Sequence, residues 1–191
     1  MNEEEIMQIF REAGAFMEGH FLLTSGLHSP VYIEKFTLLQ YPRYVEILVR
    51  EMIEKVKEET IDIVVGPAVG GIVLAYEAAR QLGVRMAFTE RENGKMTFRR
   101  DFAPHKGERV LVVEDVVTTG GSVIEVLEAV EESRATVAGV SVLVDRSAGR
   151  ISLSVPFSSL LRMEVQTYSS EECPLCRDKV SLQKRGSRSL G

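Results

Sequence analysis

Two stretches of this sequence are built alike: a short run rich in Val and Ile, a glycine-rich turn, then an amphipathic segment. Ile61-Asp62-Ile63-Val64-Val65 leads into Gly66-Pro67-Ala68-Val69-Gly70-Gly71 and a helical stretch from Ile72 to Leu82. Arg109-Val110-Leu111-Val112-Val113 leads into a second Gly-rich turn and a helix carrying Val123, Val126, Leu127 and Val130. Val84 to Thr89, Val137 to Val144 and Leu161 to Tyr168 read as further strands. A nearly unbroken apolar strand must be covered on both faces, and strands separated by helices meet that need as a parallel sheet between helical layers. The expected fold class is α/β, a parallel sheet flanked by helices.

Ahead of this core, Glu3 to Met17 and Tyr44 to Val56 have helical patterning, the second with Val45, Leu48, Val49, Met52, Ile53 and Val56 on one face. Between them Gly19 to Leu39 is rich in turn residues and is expected to form a small substructure beside the site. The 191 residues suffice for one domain with a sizeable core. The expected organisation is a single domain over 1–191: a hood and base-side segment (1–40), an α/β core (41–170) and a C-terminal tail (171–191). Arg177 to Gly191, with five basic residues and two glycines, is expected to fray or lie on the surface.

Charge and hydropathy narrow the function. Lys and Arg number 23 against 28 Asp and Glu, a net charge of −5, which disfavours a chain that coats nucleic acid or an anionic membrane. The longest uncharged stretch, Ile63 to Tyr76, has 14 residues and is broken by Gly66, Pro67, Gly70 and Gly71. A bilayer span needs about 20 apolar residues. The acidic start Met1-Asn2-Glu3-Glu4-Glu5 is unlike a secretory signal, so a cytoplasmic location is expected. Cys173-Pro174-Leu175-Cys176 holds the only two cysteines. They are expected to be a reduced pair closing a turn, since a zinc site would need His or another subunit's pair to complete it. His28 and His105 are expected at the surface.

The chemistry concentrates in Val110-Leu111-Val112-Val113-Glu114-Asp115-Val116-Val117-Thr118-Thr119-Gly120-Gly121-Ser122. A buried strand ends in two carboxylates, then a Thr/Gly/Ser loop, then a helix. Consecutive N–H groups and hydroxyls at the positive end of a helix suit a phosphate. Two adjacent acids would repel that phosphate, so they call for hydroxyls or a metal next to it; a sugar phosphate with bound Mg²⁺ brings both. Other phosphate loops fit badly: Ile72 stands where a P-loop needs Lys, and no dinucleotide fingerprint follows either strand. The plain alternative is a capping box, Ser122 with Glu125.

These thirteen residues resemble the phosphoribosyl pyrophosphate signature of type I phosphoribosyltransferases. The resemblance implies that Glu114 and Asp115 hold the ribose hydroxyls and that Val116, Val117, Thr118, Thr119, Gly120, Gly121 and Ser122 form the 5-phosphate cradle. Ala68, Val69, Gly70 and Gly71 would then line the pyrophosphate loop. Within that family the likeness is greatest to the orotate-specific group, through Phe21-Leu22-Leu23-Thr24-Ser25-Gly26-Leu27-His28-Ser29-Pro30-Val31-Tyr32 and through Val144-Asp145-Arg146. It implies orotate contacts from Arg146, Thr118 and Lys35; a guanidinium grips a carboxylate with paired hydrogen bonds. Many orotate enzymes have Lys where Thr24 and Gly70 stand here, and a longer Lys-rich catalytic loop.

The same resemblance implies catalytic roles for Asp115, Lys95 and Arg91, and Mg²⁺ carried mainly by the substrate with no direct protein ligation. It also implies a homodimer whose mobile loop 90–100 closes over the neighbouring subunit. Asn93-Gly94 equally signals a plain hairpin with solvated charges. The substrates implied are phosphoribosyl pyrophosphate and orotate. Rival readings are a purine phosphoribosyltransferase, which has no use for Arg146, and a regulator that senses phosphoribosyl pyrophosphate while binding nucleic acid.

Overall fold

A computed structural model describes residues 1–56, 59–99 and 101–185. The chain opens with α1 (Glu3–Glu12), the hairpin β1 (Phe16–Leu22) and β2 (His28–Ile33), a short α2 (Lys35–Leu39) and α3 (Pro42–Glu54). The core follows as β3 (Ile63–Pro67), α4 (Gly70–Leu82), β4 (Arg85–Glu92), β5 (Lys95–Thr97), β6 (Arg109–Val117), α5 (Gly121–Glu132), β7 (Thr136–Asp145) and β8 (Phe157–Arg162). α6 (Pro174–Arg177) and β9 (Gln183–Lys184) complete the described chain.

Six strands form one sheet in the order β5-β4-β3-β6-β7-β8, parallel throughout except for the β4–β5 hairpin at one edge. Alternate residues of each strand feed opposite layers. Val64, Leu111, Val113 and Leu143 pack with α1, α3 and α4, while Ile63, Val65, Val110, Val112, Val140 and Val142 pack with α5. Each fully buried aliphatic side chain of this kind contributes about 2 kcal/mol through removal from water. Because α4 and α5 cover opposite faces, the chain leaves adjacent strands β3 and β6 in opposite directions. A crevice therefore opens at their carboxyl ends, where open α/β sheets bind ligands.

A second sheet, β2-β1-β9, forms the hood. α1 is held by a capping box, in which Glu5 N donates to Asn2 Oδ1 (2.9 Å) and Asn2 N to Glu5 Oε2 (2.8 Å). It stops at Ala13 because Gly14 turns left-handed, with φ +69°. The helix expected over Glu3 to Met17 is thus shorter, and Phe16 and Met17 begin a strand. The β1–β2 ladder slips between Glu18 and Phe21, so that Gly19 and His20 together face Pro30. Proline lacks an N–H for the ladder, and a bulge accommodates it.

Two further expectations change. The last core strand is β8, Phe157–Arg162, in place of Leu161 to Tyr168; Tyr168 instead makes an isolated bridge with His28. The tail does not simply fray: Gln183 and Lys184 pair in parallel with Phe21 and Leu22. Residues 186–191 lie outside the described residues. His28 is buried rather than at the surface, whereas His105 is exposed.

Candidate active site

The two glycine-rich loops flank the crevice between β3 and β6. After β6, residues 118–120 turn the chain into α5, whose N-cap is Gly120 at φ +83° and makes no side-chain cap bond. Ser122 therefore does not form the capping box with Glu125; Glu125 Oε2 pairs with Arg91 at 2.8 Å. Glu114 and Val116 to Val123 line a small open concavity of about 50 Å³ at this helix end. Its N–H groups and hydroxyls suit an anion.

After β3 the loop is tight, and the Ala68–Val69 peptide bond is cis. A Cβ on Gly66 would lie 2.3 Å from Gly71 O, and one on Gly71 would lie 2.7 Å from Pro67 Cδ. A Cβ on Gly70 would fall 1.7 Å from Asp115 Oδ2. Gly70 thus makes room for the carboxylate of the neighbouring strand, a packing role that sequence reasoning did not find. Nothing local in the sequence signals a contact 45 positions apart.

The acidic pair is buried: Asp115 is 1% exposed and Glu114 7%. Lys35, at the start of α2, places Nζ 2.9 Å from Asp115 Oδ1 and 2.8 Å from Oδ2. Asp115 N donates to Glu114 Oε1 at 2.9 Å. Burial, reinforced by the charge of Asp115, pushes the Glu114 carboxyl up to about 8. Near neutrality Glu114 therefore tends to keep its proton and can donate a hydrogen bond, while the oxygens of Asp115 face Lys35. That combination can both give and receive hydrogen bonds from the two hydroxyls of a sugar.

Arg146 follows β7, one strand along the sheet. Its N–H donates to Val117 O at 2.8 Å, tying it to the end of β6. Its guanidinium is half-buried, and Nε has no hydrogen-bond partner among the described residues. Burial pushes its pKa down from the ordinary value, opposed only by Tyr32 of the hood. Asp145 does not pair with it; Asp145 Oδ1 accepts from Ser147 N at 2.8 Å.

Residues 90–97 form a hairpin turning at Asn93 (φ +49°) and Gly94 (φ +84°), the arrangement that the Asn-Gly pair equally signals. Lys95 Nζ pairs with Glu132 at 2.5 Å, and Arg99 approaches Glu90 at 3.6 Å and Glu92 at 3.8 Å. Together with the Arg91–Glu125 pair, these contacts turn the hairpin's cations toward their own chain. Arg100 lies outside the described residues.

A carboxylate pair closing a parallel strand, one anion cradle on each side and a sheet of this order define a phosphoribosyltransferase. A family model described as the phosphoribosyl transferase domain matches residues 38–169. Orotate phosphoribosyltransferases of Caldanaerobacter subterraneus subsp. tengcongensis and Pelotomaculum thermopropionicum are each 53% identical over 190 residues, covering 100% of both chains. Among solved structures, orotate phosphoribosyltransferase from Aeropyrum pernix superposes with a TM-score of 0.72 at 29% identity, over 83% of this chain and 94% of that one. The chain belongs to the orotate phosphoribosyltransferase family. The family model leaves out most of the hood, which the full-length relatives retain.

Proposed function

We propose that the chain transfers ribose 5-phosphate from phosphoribosyl pyrophosphate to orotate, giving orotidine 5'-phosphate and pyrophosphate in pyrimidine synthesis. The observation that carries this reading is Arg146, a half-buried guanidinium whose Nε has no hydrogen-bond partner among the described residues, set beside the loop that follows the acidic pair. Leaving such a donor unmatched in a buried site is unfavourable, and the carboxylate of orotate supplies the match. A purine offers none.

In this reading Asp115 and Glu114 hold the ribose hydroxyls, with Glu114 entering as the proton-bearing member. N–H groups of Thr118 to Ser122 receive the 5-phosphate, and those of Ala68 to Gly71 receive the pyrophosphate. Positive charge grows on the sugar ring as pyrophosphate leaves, and the buried carboxylate of Asp115 lies on the side that stabilises it. Lys35, leaving Asp115 as the ribose arrives, is free to turn to the anionic substrates, and Thr118 completes the base side. No nucleophile from the protein is required.

Mg²⁺ fits this acidic face as a passenger of the substrate, since burial pushes the Glu114 carboxyl up to about 8 and makes it a poor ligand near neutrality. When bound, the ion neutralises the departing pyrophosphate. The proposed enzyme is a cytoplasmic homodimer in which Lys95 and Arg91 exchange Glu132 and Glu125 for the pyrophosphate of the neighbouring subunit. No described helix is long and apolar enough to cross a membrane.

The decisive assay presents purified protein with phosphoribosyl pyrophosphate, Mg²⁺ and each of orotate, adenine and hypoxanthine. Orotate alone should be consumed; turnover of a purine, or of nothing, overturns the reading. For the shared loop, Lys95→Ala and Asp115→Asn chains, each nearly inactive, are mixed. Regained activity supports sharing, and a dead mixture assigns the hairpin to its own subunit.

A further inference from the structure

His20, His28, Cys173 and Cys176 direct their ligand atoms toward one point, all within 4.8 Å of one another. His20 Nε2 lies 2.9 Å from His28 Nδ1, 3.5 Å from Cys173 Sγ and 3.7 Å from Cys176 Sγ, and Cys176 Sγ lies 3.3 Å from His28 Nδ1. Across the ring, His20 Nδ1 stands 2.8 Å from the carbonyl oxygen of Val180. A carbonyl only accepts, so Nδ1 donates there and the neutral ring keeps a bare lone pair on Nε2. Three groups crowd that single lone pair. His20, His28 and Cys173 are buried, so water cannot relieve the competition, and hydrogen bonding alone leaves part of the cluster unmatched.

We propose that these four side chains form a structural zinc site that fastens the C-terminal segment to the hood. Two thiolates and two imidazoles around one point are a donor set suited to tetrahedral zinc. Zinc bonds of about 2.0–2.3 Å set tetrahedral ligands about 3.3–3.8 Å apart. The separations of 3.3, 3.5 and 3.7 Å already fall in that range, while the shortest, 2.9 Å, and the widest, up to 4.8 Å, need shifts of no more than about 1 Å. The His20–Val180 contact is the outer hydrogen bond that commonly orients a ligating imidazole.

The backbone explains why the four meet. The β1 bulge opposite Pro30 carries His20, and His28 is pinned by reciprocal backbone bonds with Tyr168 of 2.8 and 2.9 Å. Pro174 opens α6 immediately after Cys173, so the two cysteines sit across its first turn. An ion here links residues 153 positions apart, with the whole catalytic sheet lying between them in sequence. Both thiols are free. β2 runs from His28 toward Lys35, so the clasp also secures the strand that leads to the cation on Asp115.

The test reads metal rather than turnover, so its failure is distinct from failure of the orotate reading. Full-length protein is purified with reductant and without chelator, and its metal content is measured. About one zinc per chain is expected. Exchange with Co²⁺ should give the visible bands of tetrahedral cobalt with thiolate charge transfer. Cys176→Ser and His28→Gln should each retain no more than about a tenth of the metal and lose roughly 10 °C in Tm. His105→Ala, at the remaining histidine, should keep the full complement. Should the first two variants fail to fold, the cobalt spectrum of the unmodified chain decides. The proposal is overturned if the unmodified chain stays metal-free after dialysis against equimolar Zn²⁺ with reductant. It is equally overturned by a Cys173–Cys176 disulfide in freshly isolated protein, by an octahedral cobalt spectrum, or by full zinc retention in Cys176→Ser.

Discussion

The loops after β3 and β6 share a layout in sequence, yet their glycines answer to different neighbours. Gly66, Gly70 and Gly71 are hemmed in by the protein itself: by backbone, by the Pro67 ring and by the Asp115 carboxylate. Gly121 meets only Thr119 Oγ1, at 3.8 Å, and Gly120 is needed for its left-handed φ as well as for clearance from Ile151 at 3.2 Å. Glycine in the first loop is a condition of folding. At Gly121 it leaves space that the protein does not fill, which is what a ligand requires.

Substituting the two loops in parallel gives the sharpest break. Gly70→Ala should displace Asp115 and cost about 2 kcal/mol of stability by overpacking. Misplacing a catalytic group by about 1 Å also lowers turnover by about 100-fold, so kcat and Tm should fall together in assays and thermal melts. A variant with an unchanged kcat would mean that Asp115 is not positioned by this loop. Arg146→Ala comes next: losing a charge-assisted pair costs about 2 kcal/mol, or roughly thirtyfold in KM for orotate. The KM for phosphoribosyl pyrophosphate should stay put, and equal weakening of both substrates would remove Arg146 from the base side.

Gly121→Ala should separate folding from binding. Alanine is the better helix former by up to about 1 kcal/mol, so Tm should hold or rise while KM for phosphoribosyl pyrophosphate increases by roughly fivefold, a little under 1 kcal/mol. A fall in Tm would make this loop like its counterpart. The last test concerns Glu114 and is read in pH dependence rather than in turnover. Its folded carboxyl keeps a proton up to about pH 8, whereas the unfolded chain releases it near 4.5. Stability from this group is therefore present below pH 4.5 and is lost as pH rises toward 8. Glu114→Gln should raise Tm at pH 8.5 and lose that advantage toward pH 5, as melts across the range would read.

The parallel sheet was legible because strands covered on both faces need apolar residues at nearly every position, as Val110 to Val113 have. The β8 boundary was harder to read. Ser158 and Ser159 interrupt the apolar run, yet Ser159 is buried and Ser158 Oγ donates to Ser141 Oγ at 3.2 Å inside the sheet. The hood strand β1 escaped because the bulge at Gly19 and His20 breaks the alternation by which a strand is recognised. In the site, Glu114, Asp115 and the phosphate-side loop are contiguous and so could be found together. Lys35 on Asp115 could not, since the two are 80 positions apart and only the docked hood joins them.

That Lys35–Asp115 contact puts a displaceable counter-ion on a buried carboxylate. The tethered ammonium holds the place that the sugar hydroxyls of the proposed substrate would take. On the proposed reading neutral hydroxyls take the place of that ammonium, and the displaced cation is left beside the phosphates of the same substrate. In that reading a single side chain links the N-terminal segment to the core. This chain has glycine at position 70 and takes the cation for Asp115 from another layer, since Lys35 belongs to α2.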